Sequence, residues 1–309
     1  MTPNINLSVE GYYKIMVMQD GAIVNERPFA KNMILNQGKD SVMGGAHTFA
    51  STFRYCAAGS GSTAVSATDT GLVTEIVRTG TLLTGSGNCG TTIASQTVTM
   101  RRTFDFPVET GSVNYRELGF SGTASSGANL WSRVLISGGV VSLVSGQSLR
   151  VVYDLAVTFA PTGTQSETIV ISGWPVSPAT NTDATWALQD VGISTVSNEG
   201  NAVNADIFDT NRTPICTAVS GAITISPFGS NPTGGSAITG ASKSGSWGSY
   251  TNGTYTRTAS FDYCSAGSFS STAISGYYYN TAIVVKFDQN QTKANTHKLR
   301  YNGYTITLS

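Results

Sequence analysis

Short runs in which β-branched and aromatic residues alternate with polar ones, each closed by Gly, Ser, Asn or Asp, recur along most of the chain. A period of two puts successive side chains on opposite faces of a strand, so a chain written this way must build half-buried sheets. The segment Gly11 to Met18, then Asp20-Gly21, then Ala22 to Val24 reads as a hairpin, because Asp-Gly tolerates the positive φ of a type I′ turn. Further strands are expected at 97–106, 113–120, 130–136, 140–144, 148–159, 167–172, 254–263, 282–288 and 298–308. A helix is expected only within Phe29 to Met43, where Ile34, Leu35, Val42 and Met43 form an apolar face and Gly38 opposes it.

The fold class expected is therefore all-β. Of 309 residues 40% are apolar and only 9 are proline, which excludes a disordered chain. The 18 basic and 18 acidic residues balance and no basic run occurs, so neither nucleic acid nor anionic lipid is an expected partner. Apolar stretches such as Val140 to Val144 fall far below the roughly 18 residues of a membrane span, so no membrane insertion is expected. The N-terminal residues lack a basic region followed by an apolar core, so a signal peptide is not indicated and synthesis in a cytosol is expected. Cys56, Cys89, Cys216 and Cys264 lie at long, irregular spacing and read as buried free thiols.

An internal similarity suggests how the chain is divided. Thr97 to Phe106, Leu130 to Ile136 and Ser148 to Val157 form a series that recurs as Thr254 to Tyr263, Ala282 to Phe287 and Lys298 to Thr307. The first members share Arg-Thr and Phe-Asp-aromatic elements, with an insertion between them, and the last members share Leu-Arg at 149–150 and 299–300. Two β-sandwich-like modules related by an internal duplication are expected, 1–165 and 166–309, the second carrying Gly/Ser-rich aromatic loops. Residues 161–163 and 172–178 are the linker candidates, and the tracts 57–71 and 229–249 read as surface loops.

Catalytic signatures are sparse. Gly85-Ser-Gly-Asn-Cys-Gly90 spells a dinucleotide-binding pattern, but the β-rich Thr91 to Met100 follows it where a helix is required. His47 and His297 are the two histidines, and each reads as solvent-exposed and polar. Asp206, Asp209 and Asn211 read as Asx-rich turns, since calcium loops alternate their acids and end in a glutamate. No catalytic, cofactor-binding or metal-binding residue is assigned.

Two charges stand inside apolar strands, Glu117 and Arg133, and burial would be costly unless they pair. The readings are a structural pair across neighbouring strands, or two side chains turned to solvent. Trp247, Tyr250, Tyr277, Tyr278 and Tyr279 concentrate aromatic surface in the last third of the chain, for an interface or receptor contact or as alternating core and rim.

The order Asn32-x-Ile34-x-Asn36-x-Gly38, Gly59-Ser-Gly61 to Asp69-Thr-Gly-Leu72, Arg116-Glu-Leu-Gly-Phe120 and Leu130-Trp-Ser-Arg133 resembles structural proteins of tailed-bacteriophage virions, over about residues 29–160. Tail, tail-tip and fibre-associated components are the most similar. The resemblance implies a non-enzymatic virion protein, assembled in the host cytoplasm, that forms a homo-oligomer, binds other virion proteins and contacts a host-surface glycan or protein. The alternatives are a tail-associated polysaccharide-degrading enzyme, a carbohydrate-binding adhesin module, and a head decoration or collar protein.

Overall fold

The structure, a computed structural model, describes residues 4–83, 88–94, 96–127, 129–160, 165–174, 177–188, 213–224, 233–261, 271–279, 283–294, 298–300 and 303–309. The protein is all-β with one short α-helix. In chain order the elements are β1 (Asn4–Gln19), β2 (Ala22–Ile34), α1 (Asn36–Met43), β3 (Tyr55–Gly59), β4 (Glu75–Thr79), β5 (Gly90–Ala94), β6 (Thr97–Asp105), β7 (Val113–Tyr115), β8 (Glu117–Ser121), β9 (Leu130–Leu135), β10 (Val141–Leu143) and β11 (Gln147–Ala160). There follow β12 (Gln165–Trp174), β13 (Ser177–Leu188), β14 (Ile215–Thr224), β15 (Thr233–Trp247), β16 (Thr256–Phe261), β17 (Ser271–Tyr279), β18 (Ile283–Ala294), β19 (Lys298–Arg300) and β20 (Tyr304–Leu308).

Two compact units result. One is built on Ser8–Thr158 and the other, among the described residues, on 4–7, 159–188 and those from 213 to 309. In the first, β4, β3, β8, β9 and the end of β2 lie side by side, all antiparallel. A second ladder joins β5, β6 and β11. Their inward faces meet in an aromatic core where Phe120 of β8 stacks on Tyr153 of β11 with ring centroids 3.8 Å apart, beside Phe104 and Phe53. In the second unit, Asn4 to Leu7 of β1 run parallel to β20, and β16 pairs antiparallel with β20 on its own account.

The β1–β2 hairpin turns at Asp20 and Gly21, both at positive φ (51° and 79°), as a type I′ turn demands. Elsewhere several expectations are corrected. Phe29 to Ile34 continues β2, and the helix begins only at Asn36, because this segment is taken up in ladders with β1 and, at Met33 and Ile34, with β9. The strand expected at 113–120 breaks at Arg116, whose N–H donates to Gly59 O, so that β7 pairs with β10 and β8 with β3. Residues 57–59 belong to buried β3 and 60–71 form the connection that follows it, whereas 233–247 form β15, so the second of the two tracts read as loops is largely strand. Within the linker candidate 172–178, residues 172–174 end β12 and 177–178 open β13, which pairs antiparallel with it, Gly173 opposite Ser177; 161–163 and 175–176 lie outside the described residues.

The two similar series share one pairing: the first member lies antiparallel to the last in each, β6 with β11 and β16 with β20. Their middle members differ, β9 lying between β8 and β2 while β18 lies between β13 and β17. The last member of the second series is divided, Lys298–Arg300 pairing with β12 and Tyr304–Leu308 with β16.

Candidate functional site

Adjacent strands β8 and β9 set Gly119 opposite Arg133 and Glu117 opposite Leu135, which makes Glu117 and Arg133 diagonal neighbours on one face. The Arg133 Nη2 to Glu117 Oε2 separation is 2.9 Å, and Nε donates to the same oxygen at 3.0 Å. Both side chains are fully buried. The carboxylate is otherwise occupied by backbone: Gly61 N–H and Thr74 N–H donate to Oε1 at 3.0 and 2.9 Å, and Val73 N–H donates to Oε2 at 3.2 Å. Arg133 continues outward, donating from Nη1 to Asp69 Oδ2 at 2.6 Å and from Nη2 to Thr63 O at 3.0 Å.

All these partners lie in the connection between β3 and β4, residues 60–74, which is thereby held at both ends by Glu117 and in its middle by Arg133. Asp69 also accepts the Ser66 N–H at 2.9 Å. Burial raises the Asp69 pKa, but the Ser66 and Arg133 hydrogen bonds outweigh it and bring the carboxyl below its ordinary value. Helix α1 fastens the same segment, with Asn36 N–H donating to Ala67 O and the Gln37 amide to Thr70 O and Leu130 O, at 2.8 to 3.0 Å. Two glycines permit the approach: a Cβ on Gly61 would stand 2.3 Å from Glu117 Oε1, and one on Gly38 would stand 2.6 Å from Trp131 O.

The four segments that carry the family resemblance thus converge on one network. Gln37 and Gly38, Gly61 and Asp69, Glu117, and Trp131 and Arg133 each come from a different one. Chemically, a carboxylate that accepts three backbone N–H groups and a guanidinium has no lone pair directed at a substrate; its work is to fix a loop. Sequence reasoning singled out Glu117 and Arg133 as charges in apolar strands. It missed Asp69, Gln37 and Gly61, which stand in polar or Gly-rich text where only the paired Gly59-x-Gly61 and the Asp69-Thr-Gly turn offered a signal.

The remaining candidates are scattered. Trp247 ends β15 half-buried, with its ring edge-on to Tyr304 at 5.7 Å and the Arg257 guanidinium 5.7 Å from its centroid; Tyr250 is half-buried in the turn that follows. Tyr277, Tyr278 and Tyr279 lie in β17, their backbone paired with Ala218, Thr217 and Cys216 of β14. His47, expected to be exposed, is half-buried: its ring packs against Gly122, and burial, helped by nearby Arg54, lowers its pKa. Cys56 and Cys216 are buried free thiols, and burial pushes the Cys56 pKa up, whereas Cys89 is half-buried, its Sγ donating to Leu83 O. In the Gly85–Gly90 tract, Gly90 opens β5, so a strand and not a helix follows. His297, Cys264, Asp206, Asp209 and Asn211 lie outside the described residues.

No group of three or more His, Cys, Asp or Glu side chains placed to hold a metal occurs among the described residues, and no helix among them is long and apolar enough to cross a membrane. No family model matches the chain, and neither the curated proteins nor the solved structures provide a significant match.

Proposed function

We propose that the chain is a non-enzymatic structural component of a bacteriophage virion, associated with the tail or its fibres, which assembles in the host cytoplasm, oligomerises and contacts the host surface. The observation that carries the reading is β2. Over Ala22 to Lys31 its ladder partner among the described residues is β1 alone, and β9 joins only at Met33 and Ile34. Along it Ile23, Val24, Phe29 and Met33 are exposed, between 41% and 52% each. An exposed strand with four large apolar side chains is an association surface unless something covers it. Pro28 lies within the strand, where a missing N–H is tolerated at an edge.

The convergence of the four motif-bearing segments supports the resemblance, because it makes them one substructure rather than four chance matches. The shared antiparallel pairing of first and last members supports a duplicated, sandwich-like plan for the two units. The test is direct. Light scattering on the purified chain is expected to give a discrete oligomer that Phe29→Glu with Met33→Glu dissociates, and mass spectrometry is expected to find the chain in purified particles. A chain that stays monomeric at every concentration and is absent from particles overturns the reading.

A further inference from the structure

A cavity of about 190 Å³ opens within the first unit, between α1, the turn that carries His47 and the start of β9. Its walls contain no charged side chain: Gln37 and Ser41 come from α1, His47 and Thr52 from the following turns, and Asn129 and Trp131 from the entry to β9. The direction of the hydrogen bonds in these walls is informative. Ser41 Oγ donates to Gly38 O at 2.7 Å, Thr52 Oγ1 donates to Phe49 O at 2.6 Å, and the Gln37 amide nitrogen donates to two carbonyls. With their protons already committed to backbone, the oxygens of all three present lone pairs. The His47 N–H donates to Ser41 O at 3.0 Å, but its imidazole and the Asn129 carboxamide make no hydrogen bond among the described residues, and a neutral imidazole offers one donor and one acceptor.

Uncharged walls give no compensation to an ionic ligand, whose desolvation would go unreturned. Acceptor-rich walls favour a ligand that brings several hydroxyl donors. A space of about 190 Å³ suits a single sugar ring and not a chain of them. Asn129 holds φ at +61°, a strained backbone kept at the mouth of the cavity where a glycine would sit without cost. The geometry points to a binding site for one small, uncharged polyhydroxy ligand, a neutral monosaccharide unit, held by Ser41, Thr52, Gln37, His47 and Asn129. This site does not depend on a virion role or on β2.

The test follows the imidazole Cε1 proton of His47 by NMR while glucose, galactose, mannose or N-acetylglucosamine is added to the full chain. The chain has only 2 histidines, so His47→Gln assigns the resonance by its loss. A saturable shift is expected with at least one neutral sugar, at a dissociation constant on the order of 1 mM. Glucuronate and glucosamine are expected to give none. Asn129→Gly is expected to weaken binding about fivefold, the worth of one neutral hydrogen bond, while leaving the melting temperature equal or higher. Absence of a saturable shift with all four neutral sugars overturns the proposal. So does an equal response to the charged ones, or unchanged affinity in a folded Asn129→Gly chain.

Discussion

The carboxylate of Glu117 and the guanidinium of Arg133 meet at 2.9 Å with 0% and 1% of their side chains exposed, and together they fasten the 60–74 connection through contacts at Gly61, Thr63, Asp69, Val73 and Thr74. Two charges taken out of water at a strand pair are tolerable only because every neighbouring polar group answers them. Breaking one half is therefore far more damaging than the strength of an exposed ion pair suggests.

Glu117→Gln keeps the size and an acceptor but strands the Arg133 charge, and a loss of about 3 kcal/mol of stability is expected. Urea unfolding followed by circular dichroism reads it. An unchanged midpoint would show that the pair is not coupled to the fold. Hydrogen exchange in the same variant is expected to rise first at Gly61, Val73 and Thr74, whose amides lose a charged acceptor.

Gly61→Ala and Gly38→Ala are each expected to cost about 1–3 kcal/mol, because the new methyl meets Glu117 Oε1 or the Trp131 backbone and has nowhere to go. Gly111→Ala is the matched control. No atom lies within 4 Å of its added carbon, so its effect is expected to be neutral or stabilising by about 0.5 kcal/mol. Thermal melts of the three variants side by side separate packing from glycine entropy.

Asp69 supplies a pH dependence whose sign is fixed by its lowered pKa. Between the folded value and the unfolded value near 3.9 the unfolded chain binds more protons, so the stabilisation is complete above about pH 4 and is lost as pH falls through the folded value. Asp69→Asn is expected to reduce stability at neutral pH and to flatten the acid limb of a melting-temperature profile. A profile parallel to that of the unaltered chain would contradict the assignment.

How much of this was written in the sequence depends on how local the cause is. The Asp20-Gly21 turn was legible because two adjacent residues impose its backbone, and Glu117 and Arg133 stood out because charges interrupted apolar alternation. The break at Arg116 was not legible: it arises from a hydrogen bond to Gly59, far away in sequence, with no Gly or Pro to mark it. β15 was hidden because Thr233 to Trp247 is Gly- and Ser-rich, and its strand conformation comes from ladders with β14 and β16 rather than from propensity. The cavity at His47 was invisible for the same reason, being assembled from a helix, two turns and a strand entry.

A second buried arginine behaves in the opposite way to Arg133. Arg102 is 3% exposed, donates from Nη1 to Phe53 O at 2.9 Å and lies over the Phe53 ring at 4.8 Å, yet no carboxylate pairs with it among the described residues and its Nε has no partner. Burial lowers its pKa from the ordinary guanidinium value to about 10, while Cys89 opposes the shift and Arg54 adds to it. The folded state therefore disfavours the cation, and the unfavourable contribution is full at every pH below about 10. It is relieved only as pH rises above about 10 toward the ordinary guanidinium value, where the unfolded chain retains the proton longer. Arg102→Met keeps most of the volume and removes the charge, so it is expected to change stability by less than about 1 kcal/mol or to raise it. Arg133→Met, which strands two carboxylates, is expected to lose about 3 kcal/mol or more. Denaturant titrations of the two variants at pH 7 check the contrast, and equal losses would mean that burial alone, and not the presence of a partner, governs what an internal arginine costs this fold.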